Sequence, residues 1–276
     1  MEETTLTSEN YHSTEMRKAY MGYSQFMSFR RCEKEGLEMV LGNLEEKPTD
    51  AFTFGGYIDA YFSNELDSFV PKHPELFNSR TGELKSQFKN IEVVIKAIEE
   101  DEMLMKYLSG EHQVIMVGEI SGVPFKIKID ALHRNKLIVD QKIMKDMEDV
   151  WVEKNGKNVK VSFIEAYGYI FEGAIYQEIE RQTHLRETGE DRKLPFVLAV
   201  TTKEEYPDKA LIKIDQEYLD EALEIVKEYA PRYQAIKEGK IAPKSCGKCG
   251  TCRKSHKLTT VKAYSKMFGI KDDFEY

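Results

Sequence analysis

Between His112 and Ile143 apolar residues recur at every second position, in HQVIMVGEI (His112 to Ile120), VPFKIKIDAL (Val123 to Leu132) and KLIVDQKI (Lys136 to Ile143). A period of two marks a half-buried strand, and the intervening SG and HRN are turn signals, so the three segments form a meander. On either side the period is 3.6. Upstream, after a polar arm covering residues 1 to 23, a helix runs from the capping residue Ser24 to near Gly42. A second follows Pro48 over Thr49 to Phe69, and a third spans Gln87 to Tyr107. PKHPELFNSRTGEL, between the last two, has the Pro, Asn and Gly of an exposed loop. Downstream come a long helix, FIEAYGYIFEGAIYQEIERQTH, two strands, PFVLAVTT and KALIKID, and a last helix from Asp215 to about Gly239. Helices, three strands, helix, strands, helix is the order of an α/β or α+β fold. The expected layout is a helical region over residues 1–110, a sheet-bearing core over 111–240 and a cysteine-rich appendage over 241–276, all within one structural domain.

The length of 276 residues and a hydrophobic content of 41% allow a substantial core. With 48 acidic against 40 basic residues the net charge is -8, which excludes a protein that coats nucleic acid through bulk charge. Contact with DNA or RNA must use a local basic patch. No apolar run approaches a membrane span, and MEETTLTSEN is acidic where a signal peptide is basic and then apolar, so an intracellular, cytoplasmic protein is expected.

The meander carries its charges unevenly. In KLIVDQKI, Ile138, Asp140 and Lys142 share one side. Asp130 lies on the polar side of its own strand, and pairing through the HRN turn brings it towards Asp140. Two carboxylates held together repel unless a cation sits between them, and Mg²⁺, hard and oxygen-seeking, suits that place. Such a metal polarises a phosphate and acidifies a water, while Lys142 steadies developing negative charge. These are the parts for phosphodiester hydrolysis. The alternative is a solvated strand face.

The Asp130, Asp140-Gln141-Lys142 pattern on consecutive strands, with a helical lead-in and a long helix after it, resembles the PD-(D/E)XK nuclease superfamily, and within it the phage-type RecE-like and RecB-like exonucleases. The resemblance implies a restriction-endonuclease-like core, a central mixed sheet flanked by helices, with Asp130, Asp140 and the Gln141 carbonyl around Mg²⁺ or Mn²⁺ and Lys142 catalytic. Glu172-Gly-Ala-Ile-Tyr176 is similar to the family's Q-x-x-x-Y helix motif and adds Glu172 and Tyr176. Glu165, Tyr169, Glu172 and Tyr176 are spaced to share one helix face. Gly55 and Asp59 stand where the family has G-x-x-x-(H/E), which makes Asp59 a further metal ligand.

Three of the four cysteines lie in CGKCGTC (Cys246, Cys249, Cys252), and the fourth is Cys32. In a reducing compartment clustered thiols point to metal, and C-x2-C-x2-C is iron–sulfur spacing with zinc as the alternative. The pattern is similar to that of AddB-like nucleases, which implies a [4Fe-4S] cluster joining Cys32 to the C-terminal three. Arg30 and Arg31 in SFRRC are candidate phosphate contacts. The resemblance implies an exonuclease that resects linear duplex DNA 5′ to 3′ for recombination, with a single-strand annealing protein as partner and a ring-shaped homo-oligomer. A structure-specific or adaptation-type endonuclease, and a DNA-end-binding module without catalysis, remain as alternatives.

Overall fold

The computed structural model describes residues 5–44, 49–154, 156–261 and 263–264; Pro48 and the last twelve residues of the appendage lie outside them. Short helices open the chain: α1 (Thr14–Ala19), α2 (Tyr23–Arg31), α3 (Glu33–Val40), α4 (Asp50–Phe62), α5 (Leu66–Phe69), α6 (Asn90–Glu99) and α7 (Glu102–Leu108). The meander follows as β1 (Glu111–Ile120), β2 (Val123–His133) and β3 (Leu137–Met144), then a hairpin, β4 (Val150–Lys154) and β5 (Lys157–Val161). After it come α8 (Phe163–Tyr167), α9 (Tyr169–Thr188), β6 (Phe196–Thr202), β7 (Lys209–Lys213), α10 (Gln216–Lys237) and α11 (Gly250–Lys254).

Each long helix expected upstream is two. The first breaks at Cys32, whose extended backbone (φ -160°, ψ 114°) separates α2 from α3, and its N-cap is Gly22 in place of Ser24. Thr49 caps α4 through a bond from Phe52 N–H, and Asp101 caps α7 by accepting from Leu104 N–H. The polar arm contains α1 and buries Tyr11, Met16 and Met21. It is therefore part of the packed structure.

Five strands form one sheet in the order β1-β2-β3-β6-β7, in which only β3 and β6 run parallel, so the sheet is mixed. Every residue of β6 is buried, with Leu198 packing in one core and its neighbour Ala199 in the other. The first core joins α2, α9 and α10 to one face through Phe26, Ile175, Phe196 and Val226. The second joins α4, α6 and α7 to the other through Ile58, Ile91, Ile98 and Val139. This is the expected sheet flanked by helices. On α9, Gly173 lets the helix approach β6, because a Cβ there would stand 2.6 Å from Phe196 Cδ1.

Two irregularities of the sheet shape the site. Ile127 and Ile129 pack in the first core but Ala131, two residues on, packs in the second, so β2 rolls over at Asp130. The ladder skips Gln113 of β1, between His112↔Ala131 and Val114↔Ile129, a non-glycine residue with φ of 53°. The second irregularity is a fork. β2 pairs with β3 only at Ala131↔Val139, Leu132↔Ile138 and His133↔Leu137. Beyond that point Met21 of the arm takes the β3 side of β2, exchanging bonds with Pro124 O and Lys126 N–H.

Candidate functional site

Asp130, Asp140, Lys142 and Glu172 meet where β2 and β3 diverge. Asp140 and Lys142 alternate along β3, and Glu172 comes from the first turn of α9. The Lys142 ammonium lies 2.7 Å from Asp140 Oδ2 and 3.0 Å from Glu172 Oε2, with its Nζ 4.9 Å from the Tyr169 ring centroid. Both of these oxygens are buried and neither accepts a well-directed hydrogen bond, so the ammonium holds them by charge and leaves lone pairs open. Asp130 Oδ2 accepts the Gln141 N–H at 2.8 Å. From α4, Asp59 accepts two bonds from Gln113 Nε2, at 2.9 and 3.1 Å. Tyr176 is buried with its ring edge-on to Phe196, one turn along α9 from Glu172.

Burial dominates the electrostatics. It pushes Asp130 up to about 7, helped by Asp59, and against the pull of Lys142 and the Gln141 N–H. Asp140 and Glu172 are likewise pushed to about 7, and Asp59 to about 6. For Lys142 burial opposes the charge, but Asp140, Glu172 and Asp130 outweigh it and raise its pKa well above the ordinary range. Lys142 is thus a fixed cation beside carboxylates that ionise near neutrality. It is placed to stabilise negative charge.

The donors fit a hard divalent cation. Asp59, Asp130, Asp140 and the Gln141 carbonyl offer only oxygen, burial makes the carboxylates resist ionisation in spite of Lys142, and Asp140 Oδ2 keeps an unused lone pair. They are not drawn tightly together: among the described residues the four cysteines alone bring three or more ligand atoms within 4.8 Å of one another.

Glu165, placed by spacing on the face of Tyr169, Glu172 and Tyr176, is separated from them. Gly168, with φ of 78°, ends α8, and Glu165 pairs with Lys154 of the hairpin instead. Arg30 stacks over Phe171 and Tyr229, at 4.8 and 5.9 Å, and Arg31 bonds Ser28 Oγ at 3.3 Å. Both arginines remain exposed. Lys126, on the polar side of β2, is buried, donates to the Tyr11 carbonyl and stands 4.4 Å from that ring. Gln113, Tyr11 and the β4–β5 hairpin were not expected from the sequence. The hairpin had a signal, the alternation VWVEK and KNVKV about an Asn-Gly turn.

Cys32 and Cys252 sulfurs are 3.5 Å apart, Cys246 and Cys252 3.8 Å, and Cys249 and Cys32 3.8 Å. The N–H groups of Lys248 and Cys249 both point at Cys246 Sγ, at 3.4 and 3.3 Å, and hold its thiol below the usual range. Four sulfurs bound to one tetrahedral ion at about 2.3 Å stand about 3.8 Å apart. A [4Fe-4S] cluster places a separate iron behind each thiolate and spreads the sulfurs further. The quartet fits one ion and does not fit the cluster. Around it Glu33 binds Arg232 at 2.7 and 2.8 Å and the Lys244 N–H at 2.7 Å, which fastens the cysteine-rich segment to α3 and α10.

Residues 22–255 match the model of a family described as a PDDEXK-like domain of unknown function (DUF3799). The chain is also similar to a solved structure from Eubacterium rectale, a "Putative exonuclease", at 39% identity and a TM-score of 0.85, covering 96% of this chain and 98% of that one. No match is found among curated proteins. Both findings agree with the mixed sheet and with the carboxylate–lysine site in its fork: the chain belongs to the PDDEXK-like DUF3799 family, within the PD-(D/E)XK nucleases.

Proposed function

We propose that the protein is a Mg²⁺-dependent exonuclease (Mn²⁺ substituting) that hydrolyses linear duplex DNA from its ends, 5′ to 3′, in recombination. The observation that carries this reading is the half-buried Lys142 ammonium between Asp140 and Glu172, with Asp130 and Asp59 beside it, in a chain similar throughout to an exonuclease-named protein. Asp59, Asp130, Asp140 and the Gln141 carbonyl would hold the divalent ion, which supplies Lewis acidity at the phosphate. Lys142 stabilises the charge that develops on the phosphoryl oxygens. Glu172 and the Tyr169 ring keep its ammonium in place, and Tyr176 backs Glu172 from the next turn of α9. A single-strand annealing protein and a homo-oligomeric ring fit the same role.

The test is release of nucleotides from linear and from closed-circular duplex DNA, with Mg²⁺ or with EDTA, by the native protein and by Lys142→Ala. Only the native protein with Mg²⁺ should degrade, and only linear DNA; removing one such charge-stabilising group lowers turnover about 10²- to 10³-fold. Cleavage of circles would make it an endonuclease, and binding of ends without turnover a binding module. End-labelled strands read the polarity.

At the cysteines we propose one Zn²⁺ in place of the iron–sulfur cluster, on the strength of the sulfur spacing. It clamps Cys32 to the C-terminal segment. Purified protein should be colourless with one zinc per chain, and Cys249→Ser should lose the metal and melt lower. A brown protein with stoichiometric iron and sulfide overturns this.

A further inference from the structure

The β4–β5 hairpin leaves the sheet just after Lys142, at the C-terminal end of β3, and its two faces differ. Val150, Val152, Val159 and Val161 are partly buried, and Val150 packs against the first core. Trp151 lies on the other face and is 65% exposed, paired across the ladder with Lys160, whose Nζ stands 6.0 Å from the indole. The ring therefore contributes little to packing. The twelve residues Val150 to Val161 carry Lys154, Lys157 and Lys160 against Glu153 alone, a positive patch on a chain of net charge -8.

The neighbouring helix continues the pattern. Lys154 pairs with Glu165, which docks the hairpin on α8, and α8 ends in Tyr167, 49% exposed. The Tyr167 ring lies 5.9 Å from Tyr169, the ring beneath the Lys142 ammonium. Aromatic surface thus extends from the candidate site along α8, and the hairpin docked there carries Trp151 and the solvated Lys160 on its outer face. On the far side Glu153 binds Lys248, between two of the cysteines, at 2.6 Å, so the metal-binding loop braces the hairpin.

We propose that this hairpin is a DNA-stacking element: Trp151 receives an unstacked base of the strand led to the site, while Lys160 beside it meets the phosphates. Exposed rings interleaved with lysines suit single-stranded DNA, because every base has a stacking face and every phosphate a charge. The ligand is a DNA end with unpaired nucleotides. This rests on the nuclease reading and adds to it a preference for frayed or overhanging ends.

Trp151 is the one tryptophan of the chain, so intrinsic fluorescence reports it alone. The native protein is titrated, with Ca²⁺ replacing Mg²⁺, with a duplex bearing a single-stranded overhang and with a closed-circular duplex. Saturable quenching by the overhang and none by the circle is expected. Trp151→Ala should bind the overhang roughly tenfold more weakly and Trp151→Phe nearly as well as the native protein, since stacking on one ring supports about that difference. Lys160→Glu should weaken binding further as salt is lowered. An unchanged fluorescence with DNA that the native protein hydrolyses on adding Mg²⁺, or equal binding by Trp151→Ala, overturns the stacking element and leaves the nuclease standing. A native protein that neither binds nor cuts any DNA overturns both. Trp151 is exposed, and matched melting curves confirm that the variants fold.

Discussion

Gln113 sits in the left-handed region, at φ 53°, where a side chain with a Cβ is strained, and the strain is retained at a place where its amide grips Asp59. Its Oε1 is buried without a hydrogen-bond partner, so the residue is fitted to Asp59 and to little else. Gln113→Ala should leave the fold intact and weaken activation by Mg²⁺ about tenfold or more, the usual effect of removing a partner that orients a metal ligand. Mg²⁺ titration of turnover and direct Mn²⁺ binding check it; equal affinity in both would reduce Gln113 to a structural residue. At this scale the meeting of Asp130, Asp140, Lys142 and Glu172 was legible because the strand and helix periods fix which side chains share a face. Gln113 was not legible, because nothing in HQVIM distinguishes it from an ordinary strand position. The interruption of alternation in IDAL, where Asp, Ala and Leu follow Ile129, was the available sign that β2 rolls over.

The elements show a different limit. Period and turn chemistry give the three meander strands, β6, β7 and α10 nearly to their ends. They fail where a single residue breaks a helix that otherwise reads as continuous. Gly168 divides α8 from α9 with a φ of 78°, and that turn sends Glu165 to the hairpin while Glu172 goes to Lys142. Position along α9 is then set by Gly173. Gly173→Ala places a methyl 2.6 Å from Phe196 Cδ1 and 2.9 Å from Leu219 Cδ2, so the helix must lift from β6 and carry Glu172 with it. A destabilisation of about 1–3 kcal/mol is expected, with a melting temperature lower by several degrees and reduced turnover. A variant that melts and turns over as the native protein does would show that α9 has slack in this contact.

Over the whole molecule the buried carboxylates make stability depend on pH and on metal together. Asp130, Asp140 and Glu172 titrate near 7 in the fold, against about 4 when unfolded. Between those values the metal-free fold keeps protons that the unfolded chain releases. Stability therefore falls as pH rises from about 4 to about 7 and flattens above. His12, pushed down to about 4 by burial, acts in the opposite sense below about 6.5, so the carboxylate part is read as the difference between the native protein and Asp140→Asn. In EDTA that difference in melting temperature should move in favour of Asp140→Asn between pH 5 and 8. Mg²⁺ should stabilise the native protein more at pH 8 than at pH 5. A pH-independent difference would place these groups in water after all. The same scale explains why the cysteines were legible as a set but not as a spacing. Sequence shows which thiols can meet, whereas their separation depends on α3, α10 and the last segment closing on one another.

The fork between β2 and β3 has one more consequence. Inside a sheet an amide hydrogen is normally locked to a carbonyl on the next strand, and it exchanges with solvent deuterium only when the ladder opens. The amide hydrogen of Gln141 is held by the Asp130 carboxylate, a group that protonates near neutrality and that a metal ion would compete for. Its exchange rate and chemical shift are therefore tied to events at the site. The protein contains a native isotopic probe, a backbone amide that reports occupancy of the centre without any label being added.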